Sequence, residues 1–369
     1  MLQTARRCAP ERFTPPTTEF LLGLAHPSSD CQLTKPFGEG TPTLSKTGTR
    51  QDHTVQTQTD EYSGGMSLQP ERVSFGRHES FPLRFGWIAK GLEAVRSDPT
   101  VFVREDATVR LGVGKNMVTA IRHWLQAARL IRPSARGEYV ETEIGRIAFG
   151  EDGDPYLEDD ATIWLVHWLL AANPSVATTI YWFFNHFHKP AFASDEVAAA
   201  LATFGDREVS ARISRATLQR DVAMLLRMYT RTPAGTRLTL EDALDSPLSL
   251  LDLVDRVDAH HHRSPLAERP DLPLPTFAFA VAELFRNRDA PHVGVTDLMY
   301  SDTIHCAPGA VFRMTEEGLV RKLEELCNAA PNAYRLDRTA GVDQLYSQGR
   351  SNPLAVLADS YVGNGRAAA

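Results

Sequence analysis

The sequence predicts a mainly α fold built from tandem winged-helix or helix-turn-helix units with small β-hairpin wings. Three observations carry this. Residues 104–131 (REDATVRLGVGKNMVTAIRHWLQAARLI) read as helix, tight glycine turn, helix. A second pattern of that kind runs over 194–229. Between them, ATIWLVHWLLAAN (161–173) is apolar on nearly all sides, which marks a buried central helix.

The chain has 369 residues, 43% of them hydrophobic, enough for two or three domains with real cores. Residues 1–70 are rich in Thr, Ser, Pro, Gly and Gln and lack periodicity, so disorder is expected there. Met66 stands beside Met1 as a candidate translation start. Order is expected from near Val73, with a short extended piece and then a helix over roughly 85–97. Gly112 and Gly114 permit the reversal into the next helix, because glycine accepts positive φ at no steric cost. That helix places Val118, Ile121, Leu125 and Ala128 on one face. Tyr139–Thr142 and Ile147–Phe149 are expected as the two apolar pieces of a wing, closing a winged-helix domain over 73–150.

Residues 151–160 (EDGDPYLEDD) form a loop before the central helix, and TTIYWFFNHFH (178–188) is aromatic-dense and buried. Ser194 followed by Asp195 and Glu196 has the form of an N-cap with an acidic first turn. Ser214 caps a helix with Leu218, Val222, Leu225 and Tyr229 inward and Arg215, Gln219 and Arg220 outward. A helical core with a second helix-turn-helix is therefore expected over 151–255. Residues 256–275 read as a charged, Pro-rich linker whose His260–His262 tract could alternatively bind metal. A small helical unit with a short hairpin follows over 276–346, and 347–369 is expected to be a disordered tail.

The net charge of −7 excludes a protein coated in basic surface, so any nucleic-acid contact must be local. A local patch exists. From Ala107 to Gly137 the chain carries Arg110, Lys115, Arg122, Arg129, Arg132 and Arg136 and no acidic residue. Lys115, Asn116, Thr119, Arg122, Gln126 and Arg129 offer the cationic, hydrogen-bonding face that a recognition helix needs in a DNA groove. A solvated helix face is the alternative. The string GVGK is not a phosphate-binding P-loop, because the spacing is wrong and Asn116 stands where Ser or Thr would hold Mg²⁺. Cys8, Cys31, Cys306 and Cys327 show no CxxC spacing, which fits a reducing cytoplasm. The FLLGLA run at 20–25 is too short to span a bilayer.

FGRHESFPLRFGW (75–87), DATVRLGVGKNMVTAIRHW (106–124), DPYLEDDATIWLVHWLL (154–170) and SRATLQRDVAMLLRMY (214–229) resemble the DUF4007 family. The resemblance runs from about residue 73 to 346. It implies a component of a bacterial DNA phosphorothioation system used in antiphage defence. Such a component nicks double-stranded DNA and acts with a cysteine desulfurase, an ATPase and an ATP-pyrophosphatase-like sulfur-transfer protein. A non-enzymatic recognition adaptor or regulator of the same system is the alternative, and a scaffold contacting only protein is a third reading. A homodimer is a further expectation.

Nicking by in-line attack on phosphorus usually needs divalent ions held by carboxylates, and oxygen ligands suit Mg²⁺ or Mn²⁺. The densest carboxylate group is Glu151, Asp152, Asp154, Glu158, Asp159 and Asp160. Asp154, Glu158 and Asp159 are the candidate metal ligands, with Asp154 and Glu158 catalytic; Asp159 or Asp160 could instead cap the following helix. A second constellation is Arg77, His78 and Glu79, with Arg84 close behind. The arginines and His78 could clamp a phosphate, and Glu79 could bind metal or act as base, with His78 and Glu79 the candidate catalytic pair. An ion pair anchoring the N-terminal segment is the alternative there. His167, two turns into the central helix, is a third candidate base or else a satisfied core residue.

Overall fold

The computed structural model describes residues 66–232, 246–302, 305–339, 342–349 and 352–365. The fold is mainly helical, with small antiparallel sheets. Buried residues from Met66 to Leu357 belong to one hydrophobic cluster. The expectation of disorder for 1–65 falls outside the described residues. Met66 itself is buried, so the described order begins before Val73.

Helix α1 (Trp87–Ser97) buries Trp87, Ile88, Leu92 and Val95. It crosses close over α3 (Lys115–Ala127) at Gly91, where a Cβ would collide with Leu125 and Ile121. The short α2 (Ala107–Leu111) ends at Gly112, whose φ of 61° is the left-handed turn that glycine permits. Gly114 is extended, at φ −65°, so the reversal needs one left-handed glycine and not two. Helix α3 buries Val118, Ile121, Trp124 and Leu125, and ends with Leu130 N–H donating back to the Leu125 carbonyl. Arg129 takes the left-handed position at that end, φ 57°.

The hairpin that follows pairs β1 (Ile131–Pro133) with β2 (Tyr139–Glu141). Ile147–Phe149, expected as a strand, lies instead in helix α4 (Glu143–Phe149). The Thr142 hydroxyl accepts from Gly145 N–H, and Glu143 sits in the first turn, so a capped helix starts where the hairpin ends.

Helix α5 (Asp160–Ala171) is buried from Thr162 onward and packs against α6 (Thr178–His186). Trp164, Phe184, Tyr229 and Phe312 surround the His167 ring. The His167 Nδ1 lies 2.8 Å from the Tyr229 hydroxyl and Nε2 lies 2.9 Å from the Val311 carbonyl. A carbonyl only accepts, so Nε2 carries the proton and Nδ1 accepts from Tyr229. His167 is a satisfied core residue with no ring nitrogen left for chemistry.

One strand, helix and hairpin order then occurs twice. First come β3 (Ala191–Ala193), α7 (Ser194–Glu208), α8 (Arg215–Tyr229), β4 (Asp255–Arg256) and β5 (His261–Arg263), with sheet order β3-β5-β4. Helix α9 (Leu274–Arg288) follows. Next come β6 (His292–Gly294), α10 (Val295–Met299), α11 (Pro308–Val311), α12 (Glu316–Ala329), β7 (Tyr334–Thr339) and β8 (Val342–Ser347), with sheet order β6-β8-β7. His260–His262 is therefore no linker: His262 is buried and its ring stacks on Phe192 across the β3–β5 pair. The segment beyond Ser347, expected to be disordered, contains α13 (Pro353–Gly365). It packs on α9 and α4, burying Leu357 and bonding the Tyr361 hydroxyl to Thr162.

A buried carboxylate ties the first hairpin unit to the central helices. Glu283 of α9 is fully buried and accepts from Arg129 Nη2 and Trp168 Nε1, each at 2.7 Å. Removing the cation leaves a buried charge with one donor fewer, which is far costlier than losing a surface pair. Arg129→Ala is expected to lower unfolding stability by about 3 kcal/mol in urea titrations. Arg129→Ala with Glu283→Leu together is expected to recover most of that loss.

Candidate nucleic-acid interface and its anchoring turn

The most densely bonded polar group near the predicted recognition helix is a turn at residues 74–80. Ser74 N–H donates to Thr178 Oγ1 at 2.9 Å. Gly76, at φ 69°, donates its N–H to Asp221 Oδ1 at 2.9 Å. A Cβ on Gly76 would sit 3.1 Å from the Thr217 methyl, so the chain runs tightly along α8 here. His78 is buried, with Nε2 2.9 Å from Asp221 Oδ1 and Nδ1 accepting from Ser80 N–H at 3.0 Å. The second bond fixes the tautomer: Nε2 carries the proton and donates to Asp221. Thr179 donates to the other Asp221 oxygen at 3.0 Å. Glu79 and Ser80 both adopt left-handed φ, 51° and 62°, a conformation non-glycine residues hold only where surroundings impose it.

The turn also touches α3. The His78 ring lies parallel to Trp124, centroids 6.1 Å apart, and faces His123 edge-on at 6.2 Å. Trp124 Nε1 donates to the Phe81 carbonyl at 3.0 Å. Arg84 lies over the rings of Phe81 and Trp87. Around His78, Asp221 and Thr179 the crevice offers about 10 Å³, room for roughly one water. Arg77 and Glu79 are exposed beside it.

On α3, Lys115 and Asn116 are exposed and Thr119, Arg122 and Gln126 are partly exposed. The helix contains no carboxylate. Its first turn has no side-chain cap, since Gly114 occupies the N-cap. Arg122 lies 6.0 Å from the Tyr139 ring of the hairpin. Two arginines of the predicted set stand apart. Arg110 belongs to α2, and its guanidinium pairs with Asp106 at 2.8 Å and Asp98 at 3.3 Å, which offsets its charge. Arg129 is spent on Glu283.

The acidic loop closes on itself. Asp154 accepts from the N–H groups of Glu158 and Asp159, both at 2.9 Å. Asp159 caps α5 by accepting from Ala161 N–H at 2.8 Å; Asp160 lies in the first turn. Among the described residues no three His, Cys, Asp or Glu side chains converge as metal ligands. The sequence reading missed Asp221 and Glu283. Each is a lone carboxylate on an inward-facing apolar stretch, and that mismatch was the available signal.

Burial pushes the His123 pKa down to about 3, and the nearby charges of Arg122 and Arg77 add to the shift. Burial likewise takes His167 down to about 3. Both stay neutral in the fold while the unfolded chain protonates them near 6.5, so acid favours unfolding. Stability is expected to fall as pH drops from about 6.5 towards 3, each histidine contributing about 1.4 kcal/mol per pH unit. Urea midpoints measured across that range check this, and His123→Phe should remove one histidine's share of the slope.

Among the described residues no helix is long and apolar enough to cross a membrane. No curated protein matches the chain. Two solved structures are similar to it. A magnesium ion-bound SspB crystal structure is 29% identical, with a TM-score of 0.69, covering 81% of this chain and 88% of that one. An SspB crystal structure is 28% identical, with a TM-score of 0.69, covering 81% and 89%. The family model for DUF4007, described as a protein of unknown function, matches residues 75–361, and the chain belongs to that family.

Proposed function

We propose that this chain is the DNA-binding component of a DNA phosphorothioation system. In this reading α1–α3 with the β1–β2 hairpin form a winged-helix unit, and α3 enters the major groove of double-stranded DNA. The observation that carries it is the exposed face of α3, which presents Lys115, Asn116, Thr119 and Arg122 on a helix without a carboxylate. An uncapped helix start adds amide donors and the positive dipole end, which together favour a phosphate. Arg77 and Arg84 supply backbone contacts from the adjoining turn. The likeness to SspB structures supports the phosphorothioation setting. In this reading the chain's partners are a cysteine desulfurase, an ATPase and an ATP-pyrophosphatase-like protein, as the family resemblance implies.

Lys115→Ala with Arg122→Ala is expected to weaken binding of a labelled duplex at least tenfold, with the salt slope falling by about two. Fluorescence anisotropy at several salt concentrations measures both, and unchanged affinity in the folded variant would remove α3 from the interface.

The further reading, nicking of one strand with Mg²⁺ or Mn²⁺, is favoured by the magnesium ion bound in the similar SspB structure. The proposed residues are Asp154, Glu158 and Asp159, or His78 with Glu79. As folded, the loop carboxylates are not a ready-made magnesium site, because Asp154 and Asp159 spend oxygens on backbone N–H groups. That arrangement favours the adaptor role, in which the chain marks the site and recruits the sulfur-transfer proteins. Supercoiled plasmid incubated with Mg²⁺, Mn²⁺ or EDTA separates the two. Open-circle product lost in Asp154→Ala/Glu158→Ala or in His78→Ala establishes nicking and locates it. Bound but uncut plasmid establishes the adaptor.

A further inference from the structure

Three helices are each the last α-helix before an antiparallel hairpin: α3 and α12 lead straight into theirs, and α8 reaches its own after the 3-10 turn Pro247–Leu251. Their exposed charges differ. Helix α12 presents Glu316, Glu317, Glu324 and Glu325, and its exposed Arg321 pairs with Glu268. The architecture therefore does not itself demand a cationic face. Helix α8 presents Arg215, Gln219 and Arg220, with Arg212 exposed just ahead of it. Its one carboxylate, Asp221, points inward to the 74–80 turn. Arg212, Arg215 and Arg220 form no ion pair among the described residues.

The turn makes α3 and α8 neighbours in function. Gly76 is bonded to α8, and His78 is bonded to α8 and packed against His123 and Trp124 of α3. Exposed Arg77 lies between those two anchors. We infer that α8 is a second DNA-contacting helix, and that Arg77 bridges it to α3 so that one duplex lies across both. Resting on the DNA-binding reading above, this assigns Arg212, Arg215 and Arg220 to phosphates further along the duplex. It also gives the strained turn a purpose, which is to fix the spacing of two cationic helices.

The test uses the full chain and two labelled duplexes, of about one and about two helical turns. Arg215→Ala/Arg220→Ala changes only exposed positions, so its circular dichroism and melting temperature should match the unaltered protein. On the longer duplex its affinity should fall about tenfold and its salt slope by about two, with little change on the shorter one. Unchanged binding of the longer duplex would overturn the inference while leaving α3 as the interface. Equal weakening on both lengths would place α8 and α3 on one short site and overturn the bridging arrangement. Failure of the unaltered protein to bind either duplex would overturn this inference and the proposed function together.

Discussion

The structure depends on a buried carboxylate that organises a turn far away in sequence. Asp221 of α8 takes three donors: the Gly76 amide, the His78 ring and the Thr179 hydroxyl. A carboxylate excluded from water loses its hydration and needs hydrogen-bond donors to offset that loss, so Asp221 depends on these bonds once the helix buries it. The consequence is a fixed 74–80 segment with two non-glycine residues in left-handed backbone. Through His78 that segment also sets the position of α3.

Glu283 follows the same logic at the far end of α3. There Arg129 and Trp168 converge on one oxygen of a fully buried carboxylate. Helix α3 is thus held at its middle by the His78 turn and at its end by Glu283, while its start is left open. An element held this way presents its exposed residues in a fixed arrangement, and binding then costs little ordering entropy.

Much of this was legible in the sequence. Period-3.6 patterning located α3 and α8, the all-round apolar run located α5, and Ser214 does cap α8 through Thr217. Gly112 takes the left-handed turn that its place between two helices implies. What escaped was non-local. The hairpin's second strand was misplaced because Ile147–Phe149 is apolar in either conformation, and Thr142 decides for helix. The β5 strand was hidden because His261–Arg263 pairs with β3, about seventy residues earlier, and no local period reports that. Arg129 looked like part of the basic face because the partner that claims it, Glu283, is 154 residues away. The backbone-binding role of Asp154 emerged only with the loop geometry, whereas the cap at Asp159 was an alternative the sequence itself offered.

The central claim is that the α3 face and the turn bound to Asp221 form the surface that meets DNA. Hydrogen–deuterium exchange of the full chain, with and without saturating duplex, tests it most directly. The account predicts slowed exchange at the start of α3 and across the 74–80 turn, with the acidic α12 unaffected. Unchanged exchange at α3 and the turn in a demonstrably bound complex would contradict it.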